Sequence, residues 1–117
     1  MVGNVLVFDP DLLFSSRIEA ACRKHGLQVK IATSLEELQL QLKESFPQAL
    51  IANLDVLKNL EKLPIMSLRG SCRLIGYYSH MDSDLAKDAL DSGFEMVVPR
   101  RGFMDKLSNI LAGTGSS

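Results

Sequence analysis

The side chains that could do chemistry in this sequence stand at the ends of short apolar runs. Asp9 and Pro10 follow Asn4-Val5-Leu6-Val7-Phe8, and Asn53 and Asp55 follow Ala49-Leu50-Ile51-Ala52. Tyr78 and Ser79 close the run from Arg73 to Tyr77, and Arg100 comes just after Met96-Val97-Val98. Carboxylates, hydroxyls and a cation brought to one edge are the parts that phosphoryl transfer uses, because that reaction runs on positioning and on charge neutralisation by Mg²⁺. Mg²⁺ takes an octahedral oxygen shell that includes one or two carboxylates. Asp9 beside a nearby Arg100 makes a weak magnesium site, and the amide of Asn53 is neutral and adds no carboxylate to it. We therefore expect no metal, no cofactor and no catalytic residue, and expect Asp9 and Arg100 to form an ion pair instead. His25 and His80 have no neighbouring cysteine, Cys22 and Cys72 lack metal-ligand spacing, and Gly3 and Gly26 are too isolated to form a phosphate-cradling loop.

These residues need strands to carry them and helices to cover those strands. Asn4 to Phe8 reads as a strand that stops at Asp9-Pro10, where Asp can cap a helix and Pro can enter its first turn. Leu13, Phe14, Ile18, Ala21 and Cys22 recur at helical spacing up to His25, with Gly26 as the stop. Leu27 to Ala32 alternates as a second strand, and Ser34 with Glu37 forms a capping-box pattern ahead of Leu35, Leu38, Leu42 and Phe46. Ala49 to Ala52 is continuously apolar, as a central parallel strand covered on both faces must be. From Val56 to Gly70 the leucines suggest a helix and Pro64 interrupts it, so one short or broken helix is expected. Arg73 to Tyr78 is the fourth strand, and Asp82 or Ser83 can cap a helix through Leu90 that ends at Gly93. Met96 to Val98 is the fifth strand and Phe103 to Leu111 the closing helix. Five strand-then-helix units predict an α/β fold, a doubly wound parallel sheet with about five helices on both faces. Residues 1–112 read as one domain and 113–117 as a flexible tail.

Composition narrows the function classes. With 13 basic and 14 acidic residues among 117, the formal net charge is -1, so no overall field draws the chain to nucleic acid or an anionic membrane. No apolar run approaches the ~18 to 20 residues that span a bilayer. Two distant cysteines and no signal peptide fit a reduced, cytoplasmic setting.

Three stretches in this order, Val5-Leu6-Val7-Phe8-Asp9, Ala49-Leu50-Ile51-Ala52-Asn53, and Ala89-Leu90-Asp91-Ser92-Gly93 ahead of Val97-Val98, resemble the receiver (CheY-like) domains of bacterial two-component response regulators. The resemblance runs over nearly the whole chain, although the segment between Asn53 and Leu74 is shorter than in a typical receiver by roughly one helical turn. It implies a flavodoxin-like sheet of strand order 2-1-3-4-5. Position by position, it also implies a degenerate phosphoacceptor pocket. The first of the family's two adjacent metal-holding acids is Asp9, and the second has become Pro10. The phosphate-accepting aspartate is matched by Asn53, the short hydroxyl after the fourth strand by Tyr78, the lysine after the fifth strand by Arg100, and the proline that follows it by Arg101.

What the resemblance implies is a non-catalytic pseudo-receiver that signals through protein contacts without phosphorylation. It stands alone or is the N-terminal module of a longer chain. The family's docking and dimerisation face is formed by the fourth helix, fifth strand and fifth helix, matched here by the region from Asp82 to Leu111. That face carries Lys87, Asp88, Asp91, Arg100, Arg101 and Lys106 and would meet a protein partner or a second copy of the chain. Plainer roles stand beside these: Asp9 as a helix cap, Asn53 as a turn residue, Tyr77 and Tyr78 as packing residues. Two other readings remain, a receiver that accepts phosphate through Asp55 or Asp11, and a flavodoxin-like module that binds a small ligand at the strand ends.

Overall fold

The computed structural model describes residues 4–44, 47–57, 72–79 and 83–114. Its elements in chain order are β1 (Asn4–Phe8), α1 (Leu12–Lys24), β2 (Gln28–Ala32), α2 (Leu35–Glu44), β3 (Ala49–Asn53), β4 (Arg73–Tyr78), α3 (Ser83–Asp91), β5 (Met96–Pro99) and α4 (Phe103–Thr114). All strand pairs are parallel and the order is β2-β1-β3-β4-β5, the sheet expected from the sequence. Four helices lie among the described residues; the short or broken helix expected over 56–70 falls largely outside them, as does the helix-face position Phe46. The closing helix runs through Thr114, into the stretch that composition marks as a tail.

Strand alternation sorts the core into two layers. Val5 and Val7 of β1, Ile51 of β3, Ile75 and Tyr77 of β4 and Val98 of β5 pack under α1 and α4. Leu6 and Phe8, Leu50 and Ala52, and Leu74 pack on the opposite layer with Leu38 and Leu42 of α2 and Ala89 of α3. Helix α1 buries the apolar side chains of Phe14, Ile18 and Cys22 along one stripe, with Ser15 buried beside Phe14; Leu13, read from the sequence as part of that face, is 83% exposed because it lies one residue off the stripe. Gly26 and Gly93, with φ of 77° and 116°, end α1 and α3 in the left-handed conformation that favours glycine. At α2 the Ser34 hydroxyl accepts from the Glu37 amide at 3.1 Å, half of the expected capping box, while the Glu37 carboxylate reaches one residue further back, to Thr33.

One close approach fixes the turn after β3. Leu54 donates its amide to the Tyr77 carbonyl at 2.8 Å and lies fully buried over Gly76 of β4, where an added Cβ would sit 2.7 Å from Leu54 Cδ1. A Gly76→Ala variant is expected to lose about 1–3 kcal/mol, since a sealed leucine cannot swing away. Urea denaturation measures the loss, and a second substitution, Leu54→Ala, costs less in that background than alone because the two changes share the same space.

Candidate functional site

Three strand ends on the α1/α4 layer converge. Asp9 follows Val5 and Val7 in alternation, Asn53 follows Ile51, and Tyr77 pairs in register with both Asn53 and Val98. These positions share one face of the sheet, so their side chains meet although they lie far apart in sequence. Asp9 is fully buried and Asn53 is 6% exposed. Asp9 Oδ1 accepts from the Asp11 amide at 2.9 Å and from Asn53 Nδ2 at 3.2 Å, and Asp9 Oδ2 accepts from the Tyr77 hydroxyl. Both carboxylate oxygens are thus occupied by donors, which is how a buried charge becomes tolerable.

Asn53 does matching work on its other side. Its Oδ1 accepts from the Asp55 amide at 2.9 Å, closing the same two-residue side-chain turn that Asp9 closes with Asp11. Asp55 in turn accepts from the Ser79 amide at 2.7 Å and ties the end of β3 to the end of β4. The Tyr77 ring is wedged between Phe14 of α1 and Phe103 of α4, with ring centroids 5.1 and 4.8 Å away, and this aims its hydroxyl at Asp9. Burial first, and the bond to Asp9 second, push the Tyr77 phenol far above the ordinary tyrosine range, so it stays a donor.

Three expectations are corrected here. Asp9 does not cap α1; the cap is Asp11, whose Oδ1 accepts from the Leu13 and Phe14 amides at 3.1 and 3.3 Å, while Pro10 lies exposed in the turn between. Arg100 pairs with Asp11 at 2.5 Å and not with Asp9. Asp9 is sealed beneath the turn with its oxygens taken, whereas Asp11 is partly exposed and pairs at smaller desolvation cost. Tyr78 packs half-buried against the opposite layer, and the hydroxyl in the pocket belongs to Tyr77. Alternation along β4 decides between the two tyrosines, and it was the signal that could have found Tyr77. Of the surface residues singled out from the sequence, Lys87, Asp88, Asp91, Arg101 and Lys106 are all exposed.

The Arg100 guanidinium lies 4.1 Å from the Phe14 ring centroid, so the Asp11 pair is braced from below. Its hydrogen bond to Asp11, and then the Phe14 amide, hold the Asp11 carboxyl below the usual carboxylate range. A carboxyl lowered on folding stabilises the fold above its unfolded value of about 3.9 and loses that contribution as pH falls through the folded value. Thermal melts between roughly pH 5 and pH 2 should therefore fall less steeply in an Asp11→Asn variant than in the unaltered chain.

A divalent cation of the kind receiver pockets hold does not fit these side chains. It would have to displace the Asn53 amide or the Tyr77 hydroxyl from Asp9, and no group of three or more His, Cys, Asp or Glu suited to a metal occurs among the described residues. Among those residues, also, no helix is long and apolar enough to cross a membrane.

No protein-family model matches the sequence, and no curated protein matches it. Solved structures do match in shape. A response regulator from Thermotoga maritima is 19% identical over 100% of both chains with a TM-score of 0.79. The signal receiver domain of a Luxo repressor protein from Vibrio parahaemolyticus is 18% identical over 98% of this chain and 91% of that one, with a TM-score of 0.75. A Burkholderia pseudomallei response regulator with a phosphorylated aspartic acid, calcium ion and citrate is 13% identical over 96% of this chain and 72% of that one, with a TM-score of 0.74. In sheet order, extent and shape, this chain has the fold of the response regulator receiver, or CheY-like, domains.

Proposed function

We propose that this domain is a pseudo-receiver of two-component-type signalling, working through protein contacts in the bacterial cytoplasm without accepting a phosphoryl group. The observation that carries the reading is the Asn53 amide donating to Asp9 at 3.2 Å, at the strand end where the resemblance calls for an anionic nucleophile. An amide there has no anionic oxygen to form an acyl phosphate, and the acid beside it is fully engaged. The two acids that could restore acceptance have other work. Asp11 caps α1 and holds Arg100, and Asp55 accepts from Ser79. The Burkholderia pseudomallei protein carries its phosphate on an aspartic acid, the residue type that Asn53 is not.

Incubation with acetyl phosphate and Mg²⁺ followed by intact-mass measurement tests this. The expected result is an unchanged mass. A labile adduct of one phosphoryl group, mapped to Asp55 or Asp11, would replace the pseudo-receiver reading with a phosphate-accepting one. The partner surface we assign comprises α3, β5 and α4, with Lys87, Asp88, Asp91, Arg101 and Lys106 exposed on it. Exposed charges of both signs steer which partner docks more than how tightly it binds. The partner is a signalling protein or a second copy of this chain.

A further inference from the structure

A cleft of about 590 Å³ opens beside the sealed pocket, lined in part by Phe14 and Arg17 of α1, by Arg100 and Arg101 after β5, and by Met104 and Asp105 of α4. We propose that it binds a small molecule carrying two linked phosphate groups. The reading goes beyond the proposed function, since it concerns a different set of side chains from the Asp9 network. The volume falls within the range of small-ligand sites.

The electrostatics of the cleft call for an anion. Three arginines and one aspartate line it, and with Asp11 paired to Arg100 the local balance is three minus two, or +1. Arg100 is neutralised by Asp11, but neither Arg17 nor Arg101 forms an ion pair among the described residues. Arg17 and Arg100 also share one aromatic ring, with guanidinium carbons 5.9 and 4.1 Å from the Phe14 centroid. Asp11 already answers the charge of Arg100, so the charge of Arg17 is the one left for an incoming anion. The Asp11 bond and the ring hold Arg100 in place, so its charge is presented without further ordering.

The start of α4 adds to the attraction. This helix of 12 residues begins at Phe103 beside the cleft, and a helix N-terminus carries partial positive charge. Asp105 in its first turn opposes this effect and is the one acid among the lining residues. Guanidinium forks match phosphate oxygens in bidentate geometry. Two unpaired arginines from separate elements, each able to grip one phosphate group, suit a diphosphate better than a single carboxylate.

Pyrophosphate and ADP, each titrated at constant ionic strength and without added metal, test the proposal and separate the phosphates from an attached nucleoside. Both probes should raise the melting temperature by about 5 °C at roughly ten times their Kd. Tighter binding of ADP would identify the ligand as a nucleotide, and equal binding would identify the phosphates as the whole determinant. An Arg17→Gln/Arg101→Gln double variant should melt like the unaltered protein without ligand, because both side chains are exposed, and should bind either probe at least about tenfold more weakly. No shift with either probe at about 5 mM, or equal binding by the variant, would overturn the assignment. Neither result bears on whether Asn53 accepts a phosphoryl group, which the mass measurement decides separately.

Discussion

Replacing Asp9 with alanine will destabilise the fold by about 3–5 kcal/mol, a large share of the stability of a domain this size. The side chain is fully buried and accepts from three donors, the Asp11 amide, Asn53 Nδ2 and the Tyr77 hydroxyl. Removing it strands all three, and each unsatisfied donor costs about 1–3 kcal/mol before any rearrangement or entering water recovers part of the loss. Asp9→Asn is the informative contrast. Its carbonyl oxygen can still accept from Asp11 and Asn53, and its amide can donate to the Tyr77 oxygen, so the cost should stay within about 1–2 kcal/mol. Equal losses in the two variants, or a loss under about 1 kcal/mol for alanine by urea denaturation, would mean that the network does not hold the strand ends together. The sign is itself diagnostic. Where several carboxylates crowd together without a cation, deleting one relieves repulsion and stabilises the protein; here deletion should do the reverse.

The same network explains which features were legible in the sequence. Strand and helix identities follow from periodicity, and Gly26 and Gly93 end helices because positive φ favours glycine. The position of Asn53 was legible as well, since an apolar run of parallel-strand type has to deliver its next residue to the carboxyl edge of the sheet. What the sequence reading misplaced were choices between neighbours: the cap and the partner of Arg100, expected at Asp9 and found at Asp11, and the pocket hydroxyl, expected at Tyr78 and found at Tyr77. The tyrosine choice was decidable, because adjacent strand residues face opposite layers and Asp9 fixes which layer counts. The arginine choice was not, because it turns on desolvation, and burial of one aspartate beneath the other appears only once α1 is docked. Contacts between residues 44, 68 and 89 positions apart depend on register across four strands, which no local pattern encodes.

Restoring the acid at residue 53 should be costly for the same reasons, and in a pH-dependent way. In an Asn53→Asp variant a carboxylate would replace the amide that now lies 3.2 Å from Asp9 Oδ1, and two carboxylates at that distance cannot both be ionised without a cation between them. At low pH one proton held between them can stand in for the lost amide hydrogen, so near pH 4 the variant should lie within about 1 kcal/mol of the unaltered chain. As pH rises the folded state must either keep that proton, which the unfolded chain gives up near pH 4, or bear the repulsion. The pair's carboxyl is raised on folding, so the folded state binds more protons than the unfolded one and stability falls with increasing pH. By pH 7.5 the deficit should reach about 3 kcal/mol, the opposite trend to the Asp11 contribution, which is lost as pH falls. Urea denaturation at the two pH values measures both ends of this slope. A pH-independent deficit would mean that the new side chain turns out to solvent, and full recovery in millimolar Mg²⁺ would mean that the pocket opens to a cation after all. The expected slope follows from the positions of Asp9 and residue 53 alone, whatever protein this domain meets.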